Sequence, residues 1–367
     1  MKITINRKNL LDALAVGGAM AGKAKSIPIL EMVLIRVADN YLTVVSSNSE
    51  SQVLKRVEII SSDGNIDFCT NPNDLGKALK TLTTDEVVLD ANTETVTIAH
   101  NKGSIEFPAC SAVAFPIMAK ADDVCEVTIP AALLKDWINI ARNFVSNDTF
   151  KPVMNGMNLL IEGNNITVCA TDAAKMFVDS RFFDNVSNTN LSVIIPASVF
   201  PMILSILSDC DFVKMSFDTK NVSFRSSTAK ITARIIEGAY PNFRAVIPTS
   251  NSIEVVVDKK DFKQAISRAG LFTNQTTSLV KLSVIGDKLK IAGQDINFAK
   301  KSFEELEIEH TGDDIEIGVK GDFAEICLNS IADDKVKLLM SSQNRPIVFK
   351  DNNYPDTTVL QMPMLLP

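Results

Sequence analysis

Asn40-Tyr-Leu-Thr-Val-Val-Ser-Ser-Asn48, Asn164-Asn-Ile-Thr-Val-Cys-Ala-Thr-Asp172 and Asp287-Lys-Leu-Lys-Ile-Ala-Gly-Gln-Asp295 are one phrase written three times. Each opens on a polar turn and then alternates apolar with polar side chains, the period of a strand with one face buried. Leu42, Ile166 and Leu289 hold the same place, 124 and 123 residues apart. A second set keeps the rhythm. Val96-Thr-Ile, Val222-Ser-Phe and Ile347-Val-Phe are separated by 126 and 125 residues, and Phe115-Pro116 returns 125 residues later as Tyr240-Pro241. Three copies of about 122 residues account for all 367, so a repeat architecture governs the fold.

Each copy halves again. Six short amphipathic stretches begin near Asn6, Pro72, Pro130, Pro196, Asp258 and Lys320. In the third, Pro130 is expected in the first turn, where a missing N–H is harmless, and Leu134, Ile138, Ala141 and Val145 share one helical face. Phe262, Ile266 and Ala269 do the same after Asp258. Between the helices lie alternating strands broken by Gly, Asn and Asp. The half-unit is one helix plus about four strands, and packing the two together buries the apolar face of each. The expected fold is α+β: three similar domains, 1–121, 122–248 and 249–367, each made of two helix-plus-four-strand half-units.

Composition narrows the function. With 46% hydrophobic and 22% charged residues the chain is an ordinary folded protein, and its net charge of −7 argues against a surface coated in cations. No apolar run reaches the ~18–20 residues of a membrane helix, and the polar start has no signal-peptide core. Cys69, Cys110, Cys125, Cys169, Cys210 and Cys327 are scattered, the closest pair 15 apart, with no CxxC. They read as reduced thiols, and a cytoplasmic location is expected. His100 and His310 read as exposed strand-end residues, so no metal and no cofactor are expected. Gly17-Gly-Ala-Met-Ala-Gly22-Lys23-Ala24 approaches a phosphate-binding loop. It lacks the Ser or Thr after the lysine, follows a helix rather than a strand, and runs into Pro28, so it reads as a basic loop. Asp122-Asp123, Asp313-Asp314 and Asp333-Asp334 read as solvated turns, and Trp137 as a helix residue of core or rim. Nothing here points to an enzyme.

Charge placement says more. The six helical stretches together carry +4, so with a net charge of −7 the remainder carries −11. Lys135 follows Leu134 and Lys263 follows Phe262 at equivalent places in two copies, and Arg142 lies seven residues after Lys135. A cationic helix surface repeated across copies suits a polyanion.

The residues then point to a family. Ile27-Pro28-Ile29-Leu30, Asn155-Gly-Met157, Ala170-Thr171-Asp172, Glu237-Gly-Ala-Tyr-Pro-Asn-Phe-Arg244 with Val246-Ile247-Pro248, and Met362-Pro-Met364 resemble the bacterial DNA polymerase III beta subunit, the sliding-clamp family, along the whole chain and in order. The resemblance implies a head-to-tail homodimer closed into a ring, with twelve helices lining the hole and strands outside. Helices ~10 Å apart on such a circle leave roughly 25 Å clear, enough for a hydrated duplex. It implies a non-catalytic processivity factor that encircles double-stranded DNA without reading sequence. Its partners would be the clamp loader, the replicative polymerase and repair proteins, bound through short linear motifs. The runner-up is a repeat scaffold that binds peptide motifs without DNA.

The family's peptide pocket maps to Met154, Thr171, Lys175, Met176, Pro241, Val246, Leu360, Met362, Pro363 and Met364. Ala173-Ala174-Lys175-Met176 departs from the family's Gly-His-Arg-Leu, and Arg244-Ala245 from its paired arginines, which implies an altered motif preference. DNA-facing cations are expected at Lys23, Lys25, Lys77, Lys80, Lys135, Arg142, Lys263 and Arg268. The dimer seam is expected at Ile105 and Phe107 on one side and Leu271 and Phe272 on the other.

Overall fold

The three quoted segments are the strands Tyr41–Ser47, Asn165–Thr171 and Lys288–Asp295. The computed structural model describes residues 1–23, 27–100, 102–118, 125–184, 186, 190–274, 276–295 and 298–366. Each of the three strands is entered through a two-residue hairpin loop: Ala38 pairs with Tyr41, Glu162 with Asn165 and Ile285 with Lys288. Such loops need left-handed backbone to follow the twist of the strands. Asp39 and Asn40 supply it at φ 52° and 63°, Gly163 and Gly286 at 59° and 57°. The polar turn that opens each copy is therefore a geometric requirement.

Six α-helices occur among the described residues: α1 (Arg7–Gly17), α2 (Pro72–Thr81), α3 (Ala131–Ala141), α4 (Phe200–Leu207), α5 (Lys259–Gly270) and α6 (Gly321–Asn329). Capping fixes several starts. The Asn6 side chain accepts from the N–H groups of Lys8 and Asn9, Asn71 from Asn73 and Asp74, and Asp258 from Asp261. Two starts differ from expectation. Pro130 closes a strand, paired with Phe212, and α3 begins only at Ala131. After Pro196 a 3-10 turn (Ala197–Val199) intervenes, so α4 starts at Phe200 with Pro201 in its first turn. Val145 lies past the end of α3 and is half-buried, whereas Leu134, Ile138 and Ala141 are fully buried.

The chain divides into two compact units, Met1–Asp136 with Ser198–Ile235, and Trp137–Ala197 with Ile236–Pro367. In the first, thirteen strands form one sheet. It runs from Cys125–Pro130 through Phe212–Phe217, Asn221–Arg225 and Ala229–Arg234 to Ser51–Glu58, Tyr41–Ser47, Val33–Ala38 and Ile66–Thr70. It continues through Gly103–Ser111, Thr95–His100, Glu86–Ala91 and Lys2–Asn6 to Ser61–Ser62. Leu10 and Leu14 of α1 and Leu75 and Leu79 of α2 pack on Ile3, Ile35, Val44, Phe68, Leu89 and Ile98. Each such side chain, fully buried, contributes about 2 kcal/mol.

The second unit holds a nine-stranded sheet and a four-stranded one. The nine run Leu191–Pro196, Gly156–Glu162, Asn165–Thr171, Lys175–Phe182, Thr357–Gln361, Ile347–Lys350, Lys335–Met340, Ile253–Asp258, Glu309–Thr311. The four run Lys300–Glu307, Lys288–Asp295, Leu279–Ile285, Ile315–Lys320. Phe262 and Ile266 of α5 and Ala324 and Leu328 of α6 are buried where the two helices pack together.

Strand pairing also joins the copies. Ala229–Arg234 of copy two pairs with Ser51–Glu58 of copy one, and Thr357–Gln361 of copy three pairs with Lys175–Phe182 of copy two. Close helix–strand approach explains two glycines. A Cβ on Gly17 would lie 2.6 Å from the Val44 carbonyl oxygen, and one on Gly293 2.1 Å from that of Ala269. Gly17 is thus a packing residue at the end of α1. Trp137 is core, at 1% exposure. The histidine expectation is corrected: both are half-buried, and His310 lies inside a short strand with Nδ1 2.8 Å from the Gly286 carbonyl oxygen. Among the described residues no helix is long and apolar enough to cross a membrane.

Candidate functional site

Alternation along Lys175–Phe182 gives the second unit two distinct faces. Met176 and Val178 point one way; Lys175, Phe177 and Asp179 point the other. On the first face Met176, Val178, Cys169, Val348, Leu360 and Phe243 form a buried cluster, with Tyr240 and Ile247 packed against it. The Tyr240 hydroxyl accepts the Thr171 N–H at 3.1 Å. Burial pushes that hydroxyl up and the neighbouring Cys169 thiol up to about 12, so this floor carries no charge at neutral pH. Val246 stands on the rim at 43% exposure, with Pro241 half-buried beside the cover.

The C-terminal segment is pinned next to this floor. The Met362 N–H donates to the Ala174 carbonyl and the Met364 N–H to the Gly318 carbonyl, both at 2.8 Å. Met362, Pro363 and Met364 are half-buried. Met154 ends the 3-10 turn Pro152–Met154, where its carbonyl accepts from the Ser146 N–H. A Cβ on Gly238 would come within 2.8 Å of Val153, which sets this turn beside the segment leading to Pro241. The fold thus gathers Thr171, Met176, Leu360 and the Pro241–Val246 segment on one face, with Met362 tied to it.

Lys175, expected with them, points away from this cluster. One residue out of register with Met176, its side chain enters the opposite face and is 6% exposed. The ammonium lies 2.5 Å from Asp172 Oδ2 and sits over the rings of Phe323 and Phe144, at 4.8 Å and 5.7 Å. Sequence reasoning missed Tyr240, Phe243, Cys169 and Val348. For Tyr240 a signal existed, because the repeat aligned it with Phe115, which is also buried. Arg244 donates to Glu162 through both Nη nitrogens and holds that carboxyl below its usual range.

Of the expected DNA-facing cations, Lys23, Lys77, Lys80, Lys135, Arg142 and Lys263 are exposed, and among the described residues none is ion-paired. Lys25 lies outside the described residues. Arg268 differs. Glu304 accepts from its Nε and Nη2 at 2.5 and 2.6 Å, so its charge is largely spent within the chain. Lys8 and Lys260, counted in the helix charge but not among the expected DNA-facing cations, are exposed as well.

Among the described residues, two of the open strand edges carry the residues expected at the dimer seam. Gly103–Ser111 meets Ile66–Thr70 only through Ala109, Cys110 and Ser111, so along Gly103–Pro108 it has one neighbour. Ile105 and Phe107 are half-buried there. In the second unit Lys300–Glu307 is the end strand of its sheet, and Leu271 and Phe272, just after α5, are 75% and 37% exposed. Chemically, the described residues offer an uncharged apolar floor suited to small apolar side chains, exposed cations suited to phosphates, and backbone donors and acceptors at open strand edges.

Comparison with known proteins agrees along the full length. The family models for the DNA polymerase III beta subunit match here as N-terminal domain over residues 1–119, central domain over 128–242 and C-terminal domain over 244–365. The beta sliding clamp of Haemophilus influenzae is 22% identical over 368 residues and that of Proteus mirabilis 25% over 375, each covering 100% of both chains. A Pseudomonas aeruginosa sliding clamp solved with griselimycin bound has the same fold, with a TM-score of 0.95 at 20% identity and 100% coverage of both chains. Three clamp domains in tandem, matched end to end by these relatives, place the chain in the DNA polymerase III beta subunit family, the beta sliding clamps.

Proposed function

We propose that two copies of this chain close head to tail into a ring that encircles duplex DNA and tethers the replicative polymerase for processive synthesis. The domains 1–121, 122–248 and 249–367 supply three arcs per chain. The ring performs no chemistry, needs no metal or cofactor and works in the cytoplasm. The observation that carries this reading is the set of exposed cations on α2, α3 and α5, without ion pairs among the described residues, in a chain whose net charge is −7. Such cations meet phosphates without reading bases, so binding is weak and sequence-independent, and retention is left to ring closure.

The seam joins the Gly103–Pro108 edge of one copy to the Lys300–Glu307 edge of the next, with Ile105 and Phe107 against Leu271 and Phe272. An open edge is a template for another strand, and a ring leaves neither edge exposed. The face holding Met154, Thr171, Met176, Pro241, Val246, Leu360, Met362, Pro363 and Met364 receives the short motifs of the polymerase, the clamp loader and repair proteins. Methionine lets one surface repack around several partners. That a solved relative holds griselimycin supports a ligand-accepting surface on clamps of this fold.

The deciding experiment loads the chain onto nicked circular DNA and then linearises it. A ring stays on the circle and escapes from the ends. Equal dissociation from both forms favours the DNA-independent peptide scaffold instead.

A further inference from the structure

Cys69 and Cys110 face each other across the antiparallel pair Ile66–Thr70 and Gly103–Ser111. Directly opposed residues in such a pair have Cα atoms about 4.5–5.5 Å apart, inside the roughly 4.4–6.8 Å span of a disulfide. The Cys110 thiol lies beside that of Cys69 and donates to Met32 Sδ at 3.5 Å. Cys110 is half-buried and reachable from solvent; Cys69 is fully buried behind it. No other two cysteines are strand partners among the described residues. Cys169 is engaged with Tyr240, and Cys327 is buried in the other unit.

Their position is not neutral. The first unit's thirteen strands run as one sheet only because Ile66–Thr70 meets Gly103–Ser111, and that junction is three residue pairs long. On one side lie the strands beside Val33–Ala38, on the other those beside Thr95–His100. A covalent bond in the middle pair would staple the two half-sheets at their narrowest join.

We propose that Cys69 and Cys110 form a reversible disulfide that locks this junction, with a small-molecule disulfide such as oxidised glutathione as the oxidant. The Cys110 thiolate attacks one sulfur of the oxidant, releasing one thiol and forming a mixed disulfide. The Cys69 thiolate then attacks Cys110 Sγ and expels the second thiol. Two protein thiols are oxidised, one small disulfide is reduced to two thiols, and the two protons pass to those leaving thiolates. Burial, with Cys110 beside it, pushes the Cys69 thiol up to about 12, so closure is the slow step and speeds up as pH rises.

To test this, fully reduced chain is incubated with oxidised glutathione, then alkylated in denaturant. The expected result is a fall from six free thiols to four, a mass loss of two hydrogens and a linked peptide pair carrying Cys69 and Cys110. A raised thermal midpoint should accompany it, and dithiothreitol should reverse all of these. Cys69→Ser and Cys110→Ser should each abolish the mass loss of two hydrogens. Six thiols persisting, a glutathione adduct on Cys110 that never closes, or a link between other cysteines overturns the proposal; the wild-type peptide map decides even if a variant folds poorly.

Discussion

Two buried charges mark the strand joins between copies, each at a place the repeat makes equivalent. At the first, Lys55 is 7% exposed and reaches Asp12 at 3.1 Å and Asp209 at 3.6 Å. At the second, 124 residues on, Asp179 is 3% exposed. It accepts from Trp137 Nε1 at 2.6 Å, Thr357 Oγ1 at 2.5 Å and Arg181 Nε at 2.9 Å. Removing one partner of such a set strands the others in low dielectric. Asp179→Ala should therefore destabilise by about 3 kcal/mol in urea unfolding and shift the emission of the only tryptophan. Glu309→Ala, which breaks the exposed pair with Lys335, should change stability by under ~0.5 kcal/mol. Lys175 belongs with Asp179. Lys175→Ala should unfold at lower urea because the half-buried Asp172 is left without its cation.

At the scale of elements, helix faces and sheet faces make separable contributions. Neutralising Lys77 and Lys80 on α2 should flatten the dependence of log K for DNA on log salt by about 0.9 for each phosphate that is no longer neutralised. Arg268→Ala should do less, because Glu304 already occupies that guanidinium. On the apolar face, rim and floor differ. Val246→Ser, at an exposed site, should weaken binding of an apolar linear peptide in calorimetry while leaving the thermal midpoint unchanged. Leu360→Ala removes a 1% exposed floor residue and should cost about 2–4 kcal/mol of stability as well as affinity.

For the whole molecule, assembly and acid response are the measurable quantities. In sizing at micromolar concentration the chain should run near twice its 40.0 kDa, and Phe107→Asp or Leu271→Asp should return it to a monomer with little loss of secondary structure. Acid should act through the carboxylates held low by cations: Glu162 by Arg244, Glu304 by Arg268, Glu316 by Lys281. Their folded pKa values lie below the unfolded ones. Their stabilisation is thus present above the ordinary carboxylate pKa of about 4 and is lost as pH falls through the lower folded values. Thermal midpoints should be flat from neutral pH down to about 5 and fall below about 4.

Repetition made the architecture legible from residues alone. Turn chemistry at Asp39-Asn40, Gly163 and Gly286 is local, so three hairpins recur wherever the phrase recurs, and capping by Asn6, Asn71 and Asp258 starts helices without help from distant contacts. The charge split between helices and the rest was equally readable, being a property of composition. Register and pairing across the chain were not. Whether Lys175 or Met176 faces the apolar floor depends on which side of a strand a neighbour covers, and Glu304 neutralises Arg268 from 36 residues away. Local backbone preference sets elements because it acts within a few residues; which side chains meet is decided only when the sheets close, since one step of register inverts every face.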